Sequence, residues 1–412
     1  MWSVLQNPSF RRLWLAQIFS ETGDWIRNMA LLLWVFHITD GHPLSVSVIT
    51  VCEYAPILLV TPIAGVWVDR WNRVKTMIGA DLLRALTIGL VAVALLTEWV
   101  PLAYLCALLA GSFQAFFDPA RTSVVASTVP RDQLVQANSC TQVTRNTLRV
   151  LGPMIGTGLY ALAGAPVSFT LDALSFLLSA LLLRGLLRLT IQAPPRPRKK
   201  VWSELREGFS YTVFHPMLRP MLIAGLTLGI GLGSYNSLLI FVVTDSLHLD
   251  EKFVGLLNSV QGVAMLTSAL VIGLLFGKIQ RHKLVTVGLF LIGVGIFVVG
   301  LAPNLLLAGV GRLIVGFGGT TLNIGLVALI QTFVANEFLG RVSGLLEPLI
   351  VGSMMASAAA AGFLLDLISI TPLLMWNGAI VLLSSLVALL LFRIGQGSVA
   401  KLTAEQTATT QE

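Results

Sequence analysis

Charge is what this chain has least of. Asp, Glu, Lys and Arg together make up 11% of its 412 residues, and the mean hydropathy is +0.83. A soluble domain carries about 25% charged residues, so a soluble globular protein is excluded. Cysteine is scarce as well. Cys52, Cys106 and Cys140 each sit in or beside an apolar stretch, without metal-ligand or disulfide spacing, and read as small packing residues. The five histidines (His37, His42, His215, His248, His282) occupy loop positions and do not pair with acids as a catalytic triad would. There is no GxxxxGK[ST] phosphate-binding loop. These absences argue against an enzyme, a metal centre and ATP as the internal energy source. The opening MWSVLQNPSFRRLW lacks a short apolar region with a small-residue cleavage site. It reads as an amphipathic lead-in to a full-length span.

Lys and Arg are also missing from one side of a repeating pattern. Apolar stretches of membrane-spanning length, about 20 residues, are predicted at 10–36, 45–68, 75–96, 101–119, 135–162, 167–187, 217–244, 253–277, 284–302, 304–334, 342–365 and 372–393. Counting alternate connections, one face carries 21 of the 27 basic residues, Arg121 among them, and the other only Lys252. The remaining five (Arg27, Arg84, Arg145, Arg149, Arg312) fall inside apolar stretches. The positive-inside rule then predicts about twelve spans with both ends in the cytoplasm. The net charge of +7 belongs to these boundary clusters and to anionic headgroups, not to nucleic acid.

The predicted organisation is a six-span bundle over 1–187, a cytoplasmic linker over 188–216, a second six-span bundle over 217–393 and a disordered tail over 394–412. The linker opens with a Pro/Arg/Lys run and continues as WSELREGFSYTVF, an amphipathic surface helix. The halves echo each other. GVWVDRWNRVK (65–75) and GLLFGKIQRHK (273–283) follow the second span of each half, and VPRDQLVQANS (129–139) and VANEFLGRVSG (334–344) lead into the fifth. Two such six-span repeats suggest a transporter with its site near the midplane.

GVWVDRWNRVK resembles the loop signature of the major facilitator superfamily, and LGPMIGTG (151–158) resembles the span-five signature of its export branches. NPSFRRLWLAQIFSETGDWI, AFFDPARTSVVASTVPRDQLVQANS, TRNTLRVLGP, TLDALSFLLSALLL and WSELREGFSYTVFHPMLRPML are together similar to the branch holding bacterial macrolide-efflux proteins and enterobactin exporters. The C-terminal loop has no Asp-Arg pair, so only the first half carries the full latch. The resemblance implies a latch of Gly65, Asp69, Arg70 and Arg73, with Asp118 as partner of Arg70 or Arg73. It also implies a gate at Gly152, Pro153 and Gly156. Proline removes a backbone donor, and glycines admit a neighbouring helix.

Charges inside spans mark function, because each costs about 2.5–3.5 kcal/mol at mid-membrane on insertion scales. In the first span Glu21, Asp24, Arg27 and Asn28 are spaced to share one helix stripe. The resemblance favours Asp24 as the proton-coupling acid, with Glu21 and Glu53 as further candidates. Arg145 and Arg149, four apart in span five, are placed to counter these acids or to bind an anionic substrate. Asp81 and Arg84 read as a local structural pair near the inner surface. Trp25 and Phe113 are the favoured aromatic walls of a drug-sized cavity. Arg312 and Glu347 are the in-span charges of the second half, which leaves proton handling to the first.

The expectation is an all-α exporter of the bacterial inner membrane, monomeric and without cofactor. It is driven by a proton gradient and takes an amphiphilic small molecule as substrate. A siderophore exporter of the enterobactin kind is the alternative, and a lipid transporter a further one.

Overall fold

The computed structural model describes residues 2–68, 70–188, 210–275, 279–334 and 339–409. Among them every regular element is helical. A short α1 (Trp2–Leu5) precedes α2 (Pro8–Ile38). Asn7 caps α2 by accepting the backbone N–H of Ser9 and Phe10 at 3.0 and 3.3 Å, with proline in the first turn. The second predicted span is divided into α3 (Pro43–Leu59), which contains Pro56, and α4 (Thr61–Val68). Asn72 caps α5 (Arg73–Thr97) through the Lys75 N–H at 3.0 Å. Next comes α6 (Pro101–Thr128) and a 3-10 turn at Arg131–Gln133. α7 (Leu134–Arg184) is broken at Gly164, whose φ of 76° suits glycine and separates two spans where the sequence predicts the gap.

The second half holds α8 (Arg219–Phe241), which ends in a π turn (Val242–Ser246), α9 (Phe253–Leu275), α10 (Arg281–Gly300), α11 (Leu305–Phe333), α12 (Leu339–Leu364) and α13 (Ile370–Thr409). Before α9 the Lys252 backbone N–H donates to Asp250 at 3.0 Å, and the Lys252 ammonium lies 3.0 Å from the same carboxyl. These bonds hold the Asp250 carboxyl below its ordinary range. Among the described residues nine helices are long and apolar enough to cross a membrane. The charges of α2 set it apart from those nine.

Two differences from expectation have physical causes. The fourth span does not stop at 119 but continues to Thr128, because Pro119 is accommodated inside α6. Arg121, assigned above to a loop, therefore lies in a helix and is buried. Residues 394–409, expected as a disordered tail, extend α13, since Ala, Leu, Lys, Glu and Gln all favour helix. Asp69, most of the linker (189–209), and parts of the loop echoes at 276–278 and 335–338 lie outside the described residues.

The chain forms two compact units. One is Met1–Arg196 with His248–Gly262, and the other is Pro197–Leu247 with Val263–Glu412. Within the first, α2 packs on α7, α5 on α6 and α7, and α3 on α6. Within the second, α8 packs on α12 and α13, α10 on α11 and α13. Apart from α3 on α6, the pairing of the first unit recurs in the second.

The first unit holds two apolar clusters. One gathers Phe10, Leu13, Val74, Met77, Phe117, Val124 and Leu183, and the other Leu31, Trp34, Ile49, Val91, Cys106 and Phe169. On α2, α5, α6 and α7 these clusters occupy opposite ends of the helices. The middle of α2, α5 and the second arm of α7 is left to polar side chains.

Candidate functional site

The polar layer between the clusters is ionic. Asp24 on α2 is held by two guanidiniums, Arg27 one turn on at 2.7 Å and Arg84 of α5 at 3.1 Å. Arg84 also pairs with Asp81 and donates to Ser20 Oγ at 3.0 Å. Ser179 of α7 donates to the other Asp81 oxygen at 2.5 Å. The Arg84 guanidinium lies over the rings of Phe117 (4.9 Å) and Phe176 (4.4 Å), and Arg27 lies over Phe176 (5.7 Å). Stacking of this kind holds a cation in an apolar setting. Asp81 and Arg84 form the local pair that the sequence predicts and are 0% and 1% exposed, but the pair does not stand alone. They are the α5 side of a network that joins three helices. Asp172, on the second arm of α7, is fully buried beside it. Glu53 on α3 interacts electrostatically with Arg27 without a direct ion pair.

A second tier lies one turn toward the N-terminus of α2. Gln17 donates to Glu21 Oε1 at 2.9 Å, and Arg145 of α7 donates to the same oxygen at 3.0 Å. Arg145 also donates to Asp118 of α6 at 2.7 Å. Arg121 sits 3.3 Å from Asp118 and 3.7 Å from Glu21. Asp118 is thus paired with Arg145 and Arg121, in place of the expected Arg70 or Arg73. The cause is the continuation of α6, which keeps Asp118 on a helix face toward α7. Arg145 bridges two acids on two helices. Arg149 is exposed and makes no ion pair with the described residues.

The glycines of α7 meet α2. A Cβ on Gly152 would lie 2.4 Å from the Trp25 ring, and one on Gly156 would lie 2.9 Å from both the Trp25 carbonyl and Met29. Trp25 therefore closes the α2–α7 seam. Phe113 packs against the first apolar cluster. Pro153 is buried in the same helix as these glycines. Of the latch, Asp69 lies outside the described residues, Arg70 is exposed, Arg73 is buried, and nothing lies within 4 Å of a Cβ on Gly65. In the second unit Arg312 is buried with its guanidinium over Tyr235 at 5.1 Å. The side chain of Glu347 lies outside the described residues.

Gln17, Ser20, Arg121, Asp172 and Ser179 belong to these networks without being picked out by the sequence. Asp172 and Ser179 sit in a Leu-rich run; Ser179 bonds Asp81 of α5, and Asp172 packs against α2 at Gly23. No spacing rule connects residues that far apart.

The bundle carries ion pairs at the middle of apolar helices. The fold is that of the major facilitator superfamily. A bacterial homologue of the iron transporter ferroportin, solved in an inward-facing state, superposes with a TM-score of 0.73 over 94% of this chain and 98% of that one, at 17% identity. The transmembrane secretion effector family matches residues 1–412, and the chain belongs to it. Among its relatives, the enterobactin exporter EntS of Escherichia coli O6:K15:H31 is 28% identical over 89% of this chain and 92% of its own. Macrolide efflux protein A of Streptococcus pyogenes is 24% identical over 87% of this chain and 88% of its own. The chain is a multi-pass membrane transporter of small molecules, not an enzyme.

Proposed function

We propose that this transporter is a secondary active exporter of the bacterial inner membrane. It moves an amphiphilic drug or metabolite outward while protons enter, by alternating access of its two halves. The observation that carries the reading is the ionic layer through the middle of the first unit, built around Asp24. Carboxylates and guanidiniums at that depth are costly. A carrier retains them because protonating one carboxyl repartitions the ion pairs and so shifts a two-state equilibrium. Glu21 and Arg145, one tier away, link the same helix to α6 and α7 and extend the network toward one end of the bundle. The excess of basic residues on one set of connections supports a topology with both termini in the cytoplasm. A siderophore-like anion is the second reading. It is favoured by Arg149, which makes no ion pair among the described residues although it lies one turn from Arg145, and by the similarity to EntS.

The test is efflux of a panel of fluorescent dyes, macrolides and catechol siderophores from an efflux-deficient bacterial strain. Wild type is compared with Asp24→Asn, with and without a protonophore. Export that is lost in both cases supports proton coupling and identifies the cargo class. Export that survives the protonophore rejects proton antiport. Failure to export any panel member, with reconstituted protein moving labelled lipid instead, turns the reading to lipid transport.

A further inference from the structure

The mid-depth layer holds more acid than base. Three carboxyls, Asp24, Asp81 and Asp172, surround two guanidiniums, Arg27 and Arg84. Asp24 and Asp81 each have a guanidinium within ion-pair distance, although Asp24 Oδ1 accepts no hydrogen bond among the described residues, and Asp81 also receives the Ser179 hydroxyl. Asp172 is different. It is 0% exposed, and neither carboxyl oxygen has a hydrogen-bond partner among the described residues. No cation approaches within ion-pair distance; Arg27 and Arg84 act on it only from further away. The other groups facing it are Asp24, which repels it, and the Cys106 thiol. Glu53, near Arg27, only adds to the acid excess.

The neighbouring helix makes room for this carboxyl. A Cβ on Gly23 would lie 2.7 Å from Asp172 Oδ1 and 2.0 Å from Ser175 Oγ. The Asp172 head therefore packs directly against the bare α2 backbone, one residue before Asp24. An ionised carboxylate left there would be a buried charge with neither cation nor donor, which a protein interior does not tolerate. Among the three aspartates and two arginines, one protonated acid leaves two negative and two positive charges.

We infer that Asp172 is a proton-binding site that holds a proton in this conformation and serves as the proton carrier of the transport cycle. Binding forms one O–H bond from a water-borne proton, and release returns that proton to water; no other bond changes. Opening the layer to water lets Asp172 ionise and compete with Asp24 for Arg27, which couples proton release to rearrangement of the α2–α7 contact. The coupling role rests on the antiport reading above; the proton occupancy does not.

Infrared difference spectroscopy of the full-length protein in lipid nanodiscs, titrated with acid alone, reads the site directly. With Glu53→Gln as the background, a buried carboxylic-acid C=O band is expected at neutral pH, lost on adding Asp172→Asn and kept on adding Asp118→Asn. Absence of the band in that background, or its persistence on adding Asp172→Asn, overturns the site. The thermal midpoint of Asp172→Asn is expected to match or exceed wild type, because no ion pair is broken; a large fall would mark a structural acid. Should Asp172→Asn not fold, Asp172→Glu must shift the band, and an unshifted band is equally fatal. Proton-driven export that proceeds at wild-type rate in Asp172→Asn removes the carrier role while leaving antiport intact. A band assigned to Asp172 without any proton-driven export does the reverse.

Discussion

Arg84 holds two acids on two helices and stacks on two rings, so its loss cannot be repaired locally. Arg84→Ala is expected to cost about 3–5 kcal/mol, the usual penalty for leaving a buried charge without its partner. Thermal unfolding of the detergent-solubilised protein checks this, and a midpoint equal to wild type would make the network energetically idle. Arg84→Lys keeps the charge but not the planar fork that serves Asp24, Asp81 and Ser20 together, and should fall between the two. At this scale the sequence was legible wherever partners share a helix. The Glu21, Asp24 and Arg27 stripe follows from spacing alone, and the Asp24–Arg27 pair forms as that spacing predicts. Asp81 with Arg84 had the same signature, but its true context, Asp24 across 60 residues and Ser179 across 98, is invisible to spacing. Asp118 was noticed for the wrong partners for the same reason.

The α2–α7 seam makes the clearest statement about elements. Three glycines of one helix, all from the Gly-Pro motif, meet different surroundings. Cβ atoms on Gly152 and Gly156 would collide with Trp25 and Met29, whereas Gly158 faces open space. Gly156→Ala should therefore cost about 1–3 kcal/mol through overpacking, because one of the colliding atoms is a backbone oxygen that cannot step aside. Gly158→Ala should be neutral or stabilising by about 0.4–1 kcal/mol through reduced unfolded-chain entropy. Paired thermal melts separate the two, and equal effects would mean the seam is not tight. Helix positions themselves were legible because apolar runs of spanning length have few other uses. Their ends were not. Pro119 looked like a stop and is an interior residue of α6, and the polar run after Arg393 looked unstructured and continues α13. In both places local chemistry was read correctly, but a helix already under way outlasted it.

For the whole molecule, the distribution of Lys and Arg predicts an orientation that labelling can test. Lys252→Cys should react with a membrane-impermeant maleimide on intact cells, whereas Lys75→Cys and Lys283→Cys should react only after permeabilisation. The reverse pattern would invert the topology. Cys106 and Cys140 are buried and Cys52 half-buried, so background reaction is low. The repeat was legible as two sets of loop echoes, and its packing equivalent is the pairing that, apart from α3 on α6, recurs in the second unit. The concentration of in-span charge in the first half also has a meaning for how the protein is made. α2 emerges from the ribosome carrying Glu21, Asp24 and Arg27, of which only Asp24 and Arg27 can pair within the helix. Arg84 follows 60 residues later, and Arg145 follows Glu21 by 124. Each unpaired charge at mid-membrane costs about 2.5–3.5 kcal/mol. α2 therefore enters the membrane before the partners that neutralise its charges have been translated.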